Sequence, residues 1–195
     1  MEREGTITRR TRETSIEVEL RLDGAGEAQV HTGIPMFDHL LDGFARHGLF
    51  DLRIRAKGDL EVDQHHTVED VGITLGQALA QAVGDRSGLV RFGSARIPMA
   101  EALAQVDLDL SNRPFFVYQV ELTGSRAGQF DALLVEDFLY ALALNGGIDL
   151  HVRLEYGRNI HHCVEAIFKG LGRALDRATQ RDPRIEGVLS TKGTL

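Results

Sequence analysis

Two short segments of the chain carry the residue types best suited to chemistry, and they nearly repeat each other. The first reads HHTVED from His65 to Asp70, and the second reads HHCVEA from His161 to Ala166. Imidazole and carboxylate groups together suit borderline divalent metals such as Mn, Fe, Zn, Co and Ni. The two HHxxE motifs therefore predict metal binding, and the duplication makes the prediction stronger than a single motif would.

Helix geometry limits how one HHxxE motif can bind an ion. Residues three or four positions apart share a helix face, so Glu69 can lie beside His65 or His66. Adjacent helical residues diverge by about 100°, so neighbouring histidines cannot easily hold the same ion. Either each motif contributes ligands to two different metals, or one of its histidines is not a ligand.

The sequence repeat extends well beyond the two motifs. MFDHLLDGFARHGLFDLRIR aligns with LVEDFLYALALNGGIDLHVR at an offset of 98 residues, and a two-residue deletion then shifts the offset to 96, which aligns the HHxxE motifs. Over residues 36–79 this register contains fourteen identities. Amphipathic patterning alone would explain the matched leucines and alanines, but not the matched motifs. The chain is therefore interpreted as two homologous halves, roughly 1–87 and 88–195, which pack closely because no Pro/Gly/Ser-rich linker separates them.

Both halves show the same order of predicted elements. TSIEVELRL and AQVDLDL alternate polar and apolar residues, as half-buried strands do. A helix is predicted over 35–48 and its counterpart over 131–147, strands over FDLRIRAKG and IDLHVRLEY, and a second helix beginning near each HHxxE motif. Strands followed by helix, strand and helix, repeated once, predict an α+β fold in which the helices of each half cover one face of a sheet.

The repeat register adds a third candidate ligand pair, His39 and its counterpart Asp137. The candidate metal ligands are thus His39, His65, His66, Glu69, Asp137, His161, His162 and Glu165. Eight ligands allow four for each of two metals in approximately symmetric environments, with room for substrate or water.

Three further residues receive a simpler interpretation. His47 and His151 are expected to be surface or hydrogen-bonded histidines, although His47 is also placed to line the site. Cys163 aligns with Thr67 in the first motif, which favours a small buried helix residue over a metal ligand.

Several basic residues are placed where a phosphate could bind, namely Arg91, Arg113, Lys169 and Lys192. Arg113 follows a predicted strand and precedes a proline, while Lys169 shares a helix face with Glu165. In the C-terminal STKG, a hydroxyl, an ammonium group and backbone N–H groups are available to one anion. The simpler alternative is solvated surface charge.

Composition narrows the functional classes. The net charge of −7 argues against broad binding of nucleic acid or membrane surfaces, and no apolar run approaches a membrane span. The N-terminus has no apolar signal core, and a single cysteine excludes an intrachain disulfide, so a cytoplasmic protein is expected. Among metal-binding functions, a dinuclear metallohydrolase acting on a phosphate ester and a metal-storage protein remain open. The HHxxE motif alone would suit metal storage, but the basic residues would not.

Five segments together resemble the imidazoleglycerol-phosphate dehydratase family: HTGIPMFDHLLDGFARHGLFDL, GDLEVDQHHTVEDVGITLGQAL, DLSNRPF, RNIHHCVEAIFKGLGRAL and STKGTL. The resemblance covers nearly the whole chain. It implies dehydration of imidazole glycerol phosphate to imidazole acetol phosphate in histidine biosynthesis, with two manganese ions per active site. It also implies a duplicated four-stranded sheet with two helices, similar to the second domain of a ribosomal protein, and trimers that assemble into particles of 24 subunits with shared active sites.

The resemblance also implies roles for individual residues. The metal ligands fall on His39, His65, His66, Glu69, His161, His162 and Glu165. The phosphate-binding residues fall on Arg91, Arg113, Lys169, Ser190 and Lys192. An active-site glutamate falls on Glu13. Members of the family usually carry histidine where this chain has Asp137, and we expect this aspartate to remain a ligand because a hard oxygen donor suits manganese.

The implied reaction sets a mechanistic hypothesis. The proton to be removed is not acidic, so the imidazole ring must accept the electrons, and a metal on a ring nitrogen would stabilise an imidazolate-like intermediate. Glu69 or Glu165 is a candidate base, and Glu13 or a metal-bound water is a candidate acid for the departing hydroxyl. The basic residues would anchor the phosphate.

Overall fold

The computed structural model describes residues 3–195, so the first two residues of the predicted first half lie outside it. The first half contains β1 (Glu4–Arg10), β2 (Thr14–Arg21), β3 (Ala28–His31), α1 (Pro35–Gly48), β4 (Asp51–Gly58) and α2 (His65–Val83). The second contains β5 (Phe92–Met99), β6 (Ala102–Asp109), β7 (Phe115–Gln119), β8 (Arg126–Ala127), β9 (Phe130–Asp131), α3 (Leu134–Gly146), β10 (Asp149–Tyr156) and α4 (Ile160–Thr179). The predicted α+β class is confirmed.

The two main sheets have the same topology, which extends the repeat to the strands. One has the order β1-β2-β4-β3 and the other β5-β6-β10-β7. In both, the last strand runs parallel to its neighbour and the remaining pairs are antiparallel. Even the register of the first hairpin is repeated, because Gly5 pairs with Leu20 and Gly93 with Leu108. The predicted boundary at 87/88 falls between α2 and β5 and stays a prediction.

The four helices pack between the sheets and pair across the two halves. Helix α2 packs on β1 and β2, and α4 packs on β5 and β6, while α2 also packs against α3, and α1 against α4. Alternating strand residues such as Ile16, Val18 and Leu20 point inward and are buried. The ring centroids of Phe37 and Phe138 are 5.3 Å apart, so α1 and α3 meet within one core shared by both halves.

Glycines allow the cross-paired helices to approach closely. A Cβ on Gly76 would lie 2.8 Å from the carbonyl oxygen of Leu142 in α3, and one on Gly172 would lie 2.4 Å from that of Phe44 in α1. A larger residue at either position would push the two backbones apart. Since Gly76 and Gly172 are counterparts in the repeat, both helix pairs approach closely in the same way.

The predicted elements agree with the structure except at one helix start. Helix α1 spans the predicted 35–48 with Pro35 in its first turn. Helix α3 begins at Leu134 rather than 131, because Phe130 and Asp131 form β9, which pairs with β8. This small hairpin has no counterpart among the described residues of the first half. None of the helices in residues 3–195 has the length and apolar character needed to cross a membrane.

Candidate metal centre

The first group of predicted ligands converges where α1 meets α4. In this His39 cluster, formed by His39, His161 and Glu165, one atom from each side chain lies within 4.8 Å of the others. The Oε2 atom of Glu165 is 2.9 Å from Nε2 of His161 and 3.3 Å from Nε2 of His39. Glu165 is buried, and its other oxygen, Oε1, is 2.7 Å from Nζ of Lys169. Two imidazoles and one carboxylate therefore face a common point.

The second group lies where α2 meets α3 and is more open. In this His65 cluster, formed by His65, Glu69 and Asp137, Nε2 of His65 is 3.9 Å from Oε2 of Glu69 and Nδ1 is 3.6 Å from Oδ2 of Asp137. The two carboxylates face opposite nitrogens of one ring, so the ring must rotate before all three groups can face one ion. Glu69 and Asp137 are 45% and 44% exposed, against 9% for Glu165.

The second histidine of each motif points away from both clusters. The ring of His66 donates from Nδ1 to Asp59, at 3.0 Å from Oδ2, and Glu13 Oε2 lies 3.8 Å away from the same nitrogen. The ring of His162 donates from Nδ1 to Glu101, 2.7 Å from Oε2. The predicted divergence of the paired histidines is therefore seen in both motifs, and His65 is the histidine that lies beside Glu69.

Neighbouring charges set the ionisation of several of these groups. Burial opposes ionisation of Glu165, but the ammonium of Lys169 and the ring of His39 lower its pKa to about 2. The carboxylate of Asp59 raises the pKa of His66. The backbone N–H of Asn159 and the ring of His162 lower the pKa of Glu101 to about 2. Glu165 and Glu101 are thus held as carboxylates.

Four of the five predicted phosphate-binding residues line one cavity of about 860 Å³. These residues are Arg91, Arg113, Ser190 and Lys192. Arg91 forms a bidentate ion pair with Asp109, at 2.6 and 2.8 Å, and donates to the carbonyl oxygen of Leu189 at 2.5 Å. Arg91 thereby ties the C-terminal segment to β6 and forms the wall of the cavity. Lys169 does not line this cavity and lies beside the His39 cluster instead, paired with Glu165.

The loop and tail that form this cavity are locally ordered by short hydrogen bonds. Arg113 lies between β6 and β7, at a strand end as predicted, and its backbone N–H donates to Oγ of Ser111 at 3.2 Å. In the STKG segment the N–H of Lys192 donates to Oγ of Ser190 at 3.2 Å. Both cationic side chains are exposed at the rim, where an anion can reach them.

The three residues given simpler interpretations lie as expected. His47 is exposed on α1, and partial desolvation of its ring together with the positive charge of Lys169 lowers its pKa. His151 is exposed and its Nε2 lies 3.1 Å from Oδ1 of Asp149. Cys163 is buried in α4.

Asp59 and Glu101, which contact the second histidines, were missed from the sequence. Asp59 follows β4 and had no motif to mark it. Glu101 was detectable, because an offset of 88 residues aligns the β1–β2 and β5–β6 hairpins and places Glu101 opposite Glu13. The repeat register that the sequence reveals begins at α1, so it does not include Glu101.

The fold and site together define a class: an α+β protein with two polar clusters of metal-binding residue types and a basic cavity suited to an anion. A family model described as imidazoleglycerol-phosphate dehydratase matches residues 32–175. The imidazoleglycerol-phosphate dehydratase of Geobacillus thermodenitrificans is 56% identical over 195 residues, which is 100% of both chains. That of Geobacter metallireducens is 55% identical over the same length.

Solved structures agree with the sequence comparison. The crystal structure of imidazoleglycerol-phosphate dehydratase from Staphylococcus aureus matches with a TM-score of 0.83 and 35% identity, covering 92% of this chain and 99% of that chain. The Pyrococcus furiosus enzyme, solved in complex with (S)-C348, matches with a TM-score of 0.84 and 39% identity, covering 97% and 100%. The chain belongs to the imidazoleglycerol-phosphate dehydratase family. It is a hydro-lyase of the dehydration step in histidine biosynthesis, so the predicted enzyme class is confirmed.

Proposed function

We propose that this chain converts D-erythro-imidazole glycerol phosphate to imidazole acetol phosphate and water with a pair of manganese ions in each active site. The observation that carries the metal part of this proposal is the convergence of His39, His161 and Glu165. Three donors from two helices and both halves of the chain face one point, and a structural role alone does not require that convergence.

The donor chemistry of both clusters fits a divalent ion. The His39 cluster has two imidazoles and one carboxylate, and the His65 cluster has one imidazole and two carboxylates. Imidazole suits several transition metals, whereas carboxylate oxygens favour harder ions, of which Mn²⁺ accepts both donor types. A bound divalent ion would supply a Lewis acid for the electron pair that the substrate's imidazole ring must accept.

Neighbouring copies of the chain would complete the two sites. Each cluster holds three candidate ligands, while His66 and His162 point away from both clusters within the chain. A surface histidine whose Nδ1 is fixed by a carboxylate presents Nε2 outward, ready for a metal. We therefore propose that active sites are shared between subunits, in trimers that assemble further into the particles of 24 subunits implied by the family resemblance.

The basic cavity would hold the phosphate of the substrate. Arg113, Ser190 and Lys192 present a guanidinium, a hydroxyl and an ammonium to one space, and such groups make charge-assisted hydrogen bonds to phosphate oxygens. Lys169, beside Glu165, would contact the same anion from the side of the metal cluster. Holding the phosphate fixes the position of the imidazole ring, which lowers the entropic cost of the reaction.

Three glutamates are available to move protons. Glu165 is tied to Lys169 by an ion pair, whereas Glu69 is half exposed and Glu13 lies on the β1–β2 turn beside His66. We propose that Glu69 or Glu165 removes the carbon-bound proton and that Glu13 donates a proton to the departing hydroxyl. The proton and the hydroxyl leave together as water.

A dehydration assay after metal removal tests this function. The purified protein is treated with a chelator, and imidazole glycerol phosphate is added with and without Mn²⁺. We expect activity to disappear on chelation and to return with Mn²⁺, and Mn²⁺ electron paramagnetic resonance to count two bound ions per chain. Undiminished turnover in the chelated protein would contradict the metal requirement.

The same assay distinguishes the proposed dehydratase from a phosphate-ester hydrolase. A dinuclear phosphate-ester hydrolase could use the same metal clusters and basic cavity, but it would release inorganic phosphate. We expect a keto product and no inorganic phosphate. Phosphate release at the rate of substrate loss would contradict the proposed chemistry.

Light scattering tests the proposed link between metal and assembly. If metals bridge subunits, stripping them should reduce the particle mass, and Mn²⁺ should restore it. A particle that stays fully assembled without metal would count against this coupling while leaving the catalytic proposal standing.

A further inference from the structure

The β1–β2 turn and the β5–β6 turn carry glutamates at equivalent positions. Glu13 and Glu101 each precede the second strand of a hairpin, and the two hairpins share one register. Each glutamate also approaches the second histidine of an HHxxE motif, with Glu13 near His66 and Glu101 near His162. The two halves therefore begin from the same arrangement, yet only Glu13 is a candidate catalytic residue.

In the second half the glutamate is fully engaged. Oε2 of Glu101 accepts a hydrogen bond from His162 at 2.7 Å, and Oε1 accepts the backbone N–H groups of Asn159 and Arg158 at 2.7 and 3.3 Å. These bonds fix the loop that leads into α4. A carboxylate with three hydrogen bonds to protein groups is poorly placed to exchange protons with a substrate.

In the first half a different residue accepts the hydrogen bond of the second histidine. Asp59 takes the hydrogen bond of His66, so Glu13 lies 3.8 Å from that ring and remains 55% exposed. Among the described residues the Glu13 carboxylate makes no hydrogen bond. Gly58 and Gly157 are counterparts, because a Cβ on Gly58 would contact Thr67 and one on Gly157 would contact Cys163. Arg158 therefore follows Gly157 where Asp59 follows Gly58, and since a guanidinium cannot accept the hydrogen bond of His162, Glu101 accepts it.

A second aspartate fixes the turn that carries Glu13. The buried Asp70 accepts a hydrogen bond from the hydroxyl of Thr14, which directly follows Glu13, and another from Nε of Arg9 at 2.8 Å. The β1–β2 turn is thereby attached to the first turns of α2. The counterpart of Asp70 is Ala166, one of the two residues that differ between HHTVED and HHCVEA, and it cannot make this attachment.

We propose that Asp59 and Asp70 are positioning residues that keep the Glu13 carboxylate free and correctly placed for proton transfer, whereas Glu101 is a structural counterpart that fixes His162. Asp59 acts through His66 and Asp70 acts through the turn. This inference rests on the proposed role of Glu13, and it adds two residues that no HHxxE ligand set includes.

Double substitutions test whether Asp70 acts through Glu13. We expect Glu13→Gln to lower kcat by roughly 10²–10⁴-fold and Asp70→Asn to lower it by roughly 10–100-fold, with little change in KM or in Mn²⁺ affinity. Glu13→Gln combined with Asp70→Asn should match Glu13→Gln alone to within about twofold. Full multiplication of the two losses would overturn the positioning role, since Asp70 would then act independently of Glu13.

Asp59 has a different expected signature because it contacts a candidate ligand. Asp59→Asn should lower both kcat and the affinity for Mn²⁺, the latter by roughly 10–100-fold. Glu101→Gln should also weaken Mn²⁺ binding, but its loss of kcat should multiply with that of Glu13→Gln. Glu61→Gln, an exposed change on the same loop as Asp59, is the matched control and should leave both quantities unchanged. Equal Mn²⁺ affinity in the wild type and Asp59→Asn would overturn the role of Asp59.

A milder substitution at Thr14 tests the same hydrogen bond in case the Asp70 variant does not fold. Thr14→Val removes the hydroxyl that binds Asp70 and keeps the side-chain shape, whereas Thr14→Ser keeps the hydroxyl. We expect Thr14→Val to lower kcat and Thr14→Ser to retain it, at equal thermal midpoints. Equal kcat in both would overturn the attachment. If Glu13→Gln itself leaves kcat unchanged, the catalytic role of Glu13 and this inference both fail, but the metal proposal stands.

Discussion

The His39 cluster and the His65 cluster descend from one duplicated unit but differ in burial, charge and donor type. The His39 cluster has two imidazoles, a buried Glu165 and an adjacent Lys169. The His65 cluster has one imidazole and two half-exposed carboxylates. Lys169 corresponds to Ile73 in the repeat, so the ammonium that pairs with Glu165 has no equivalent beside Glu69. Duplication preserved the positions of the side chains while the electrostatics of the two sites diverged.

The differences in charge and donor type predict that the two clusters prefer different ions. The His65 cluster, with two carboxylates and no lysine, should attract a hard divalent cation more strongly. The His39 cluster is already converged but partly neutralised by Lys169, which is suited to an anion. If both clusters bind metal as proposed, the His65 cluster should have the higher affinity for the ion, and the His39 cluster should be the one with a cation available to the phosphate.

The largest expected effects on kcat come from replacing the buried Glu165 and the half-exposed Glu69. Glu165→Gln and Glu69→Gln should each lower kcat by roughly 10²–10⁴-fold if each acts as a ligand or a base. Only Glu165→Gln should also destabilise the metal-free protein, by about 2 kcal/mol, because it removes a charged partner of Lys169. Urea unfolding of the two variants measures this. Equal losses of stability would show that burial does not distinguish the clusters.

Exchanging the third ligand should shift metal preference. Asp137→His gives the His65 cluster the donor set of the His39 cluster, and we expect Zn²⁺ to gain on Mn²⁺ there by about tenfold, because an imidazole replaces a hard oxygen. His39→Asp should shift the other cluster in the opposite direction. Displacement of Mn²⁺ by Zn²⁺, followed by electron paramagnetic resonance, gives both ratios. Unchanged ratios in both variants would mean that Asp137 does not bind the metal.

Adding a lysine should weaken the more negative cluster. Ile73→Lys places an ammonium four residues after Glu69, as Lys169 stands after Glu165. We expect the affinity for the first Mn²⁺ to fall about fivefold, since one added charge near a solvated site is worth about 1 kcal/mol. Ile73→Met, similar in length but neutral, is the control. An equal loss in both variants would point to packing rather than charge.

The smallest effect is expected at the buried cysteine. Cys163→Thr introduces the residue found at the equivalent position of the first motif, and it should change the free energy of unfolding by about 1 kcal/mol or less. The number of bound metal ions should stay the same. Loss of a metal ion in this variant would contradict the interpretation of Cys163 as a packing residue.

The repeat made much of the fold and site predictable. Helix α1, the starts of the two HHxxE helices and the strands β2, β4, β6 and β10 follow from hydrophobic periodicity, which local sequence controls directly. The short parallel strands β3 and β7 were not predicted, because their pairing depends on β4 and β10, which lie later in the chain. The hydrogen bonds of Asp59 and Glu101 to the second histidines were not predicted either. Each forms only when a loop or a hairpin packs against a helix.

The sequence by itself determined which residue types recur and at what spacing, so it supplied the eight candidate ligands and the divergence of the paired histidines. Only the tertiary structure decided how they combine. Helix α1 packs against α4 and α2 against α3, so each cluster takes residues from both halves: His39 joins His161, and His65 joins Asp137. Periodicity specifies which face of a helix is apolar, but the partner of that face is chosen by side-chain packing across the shared core.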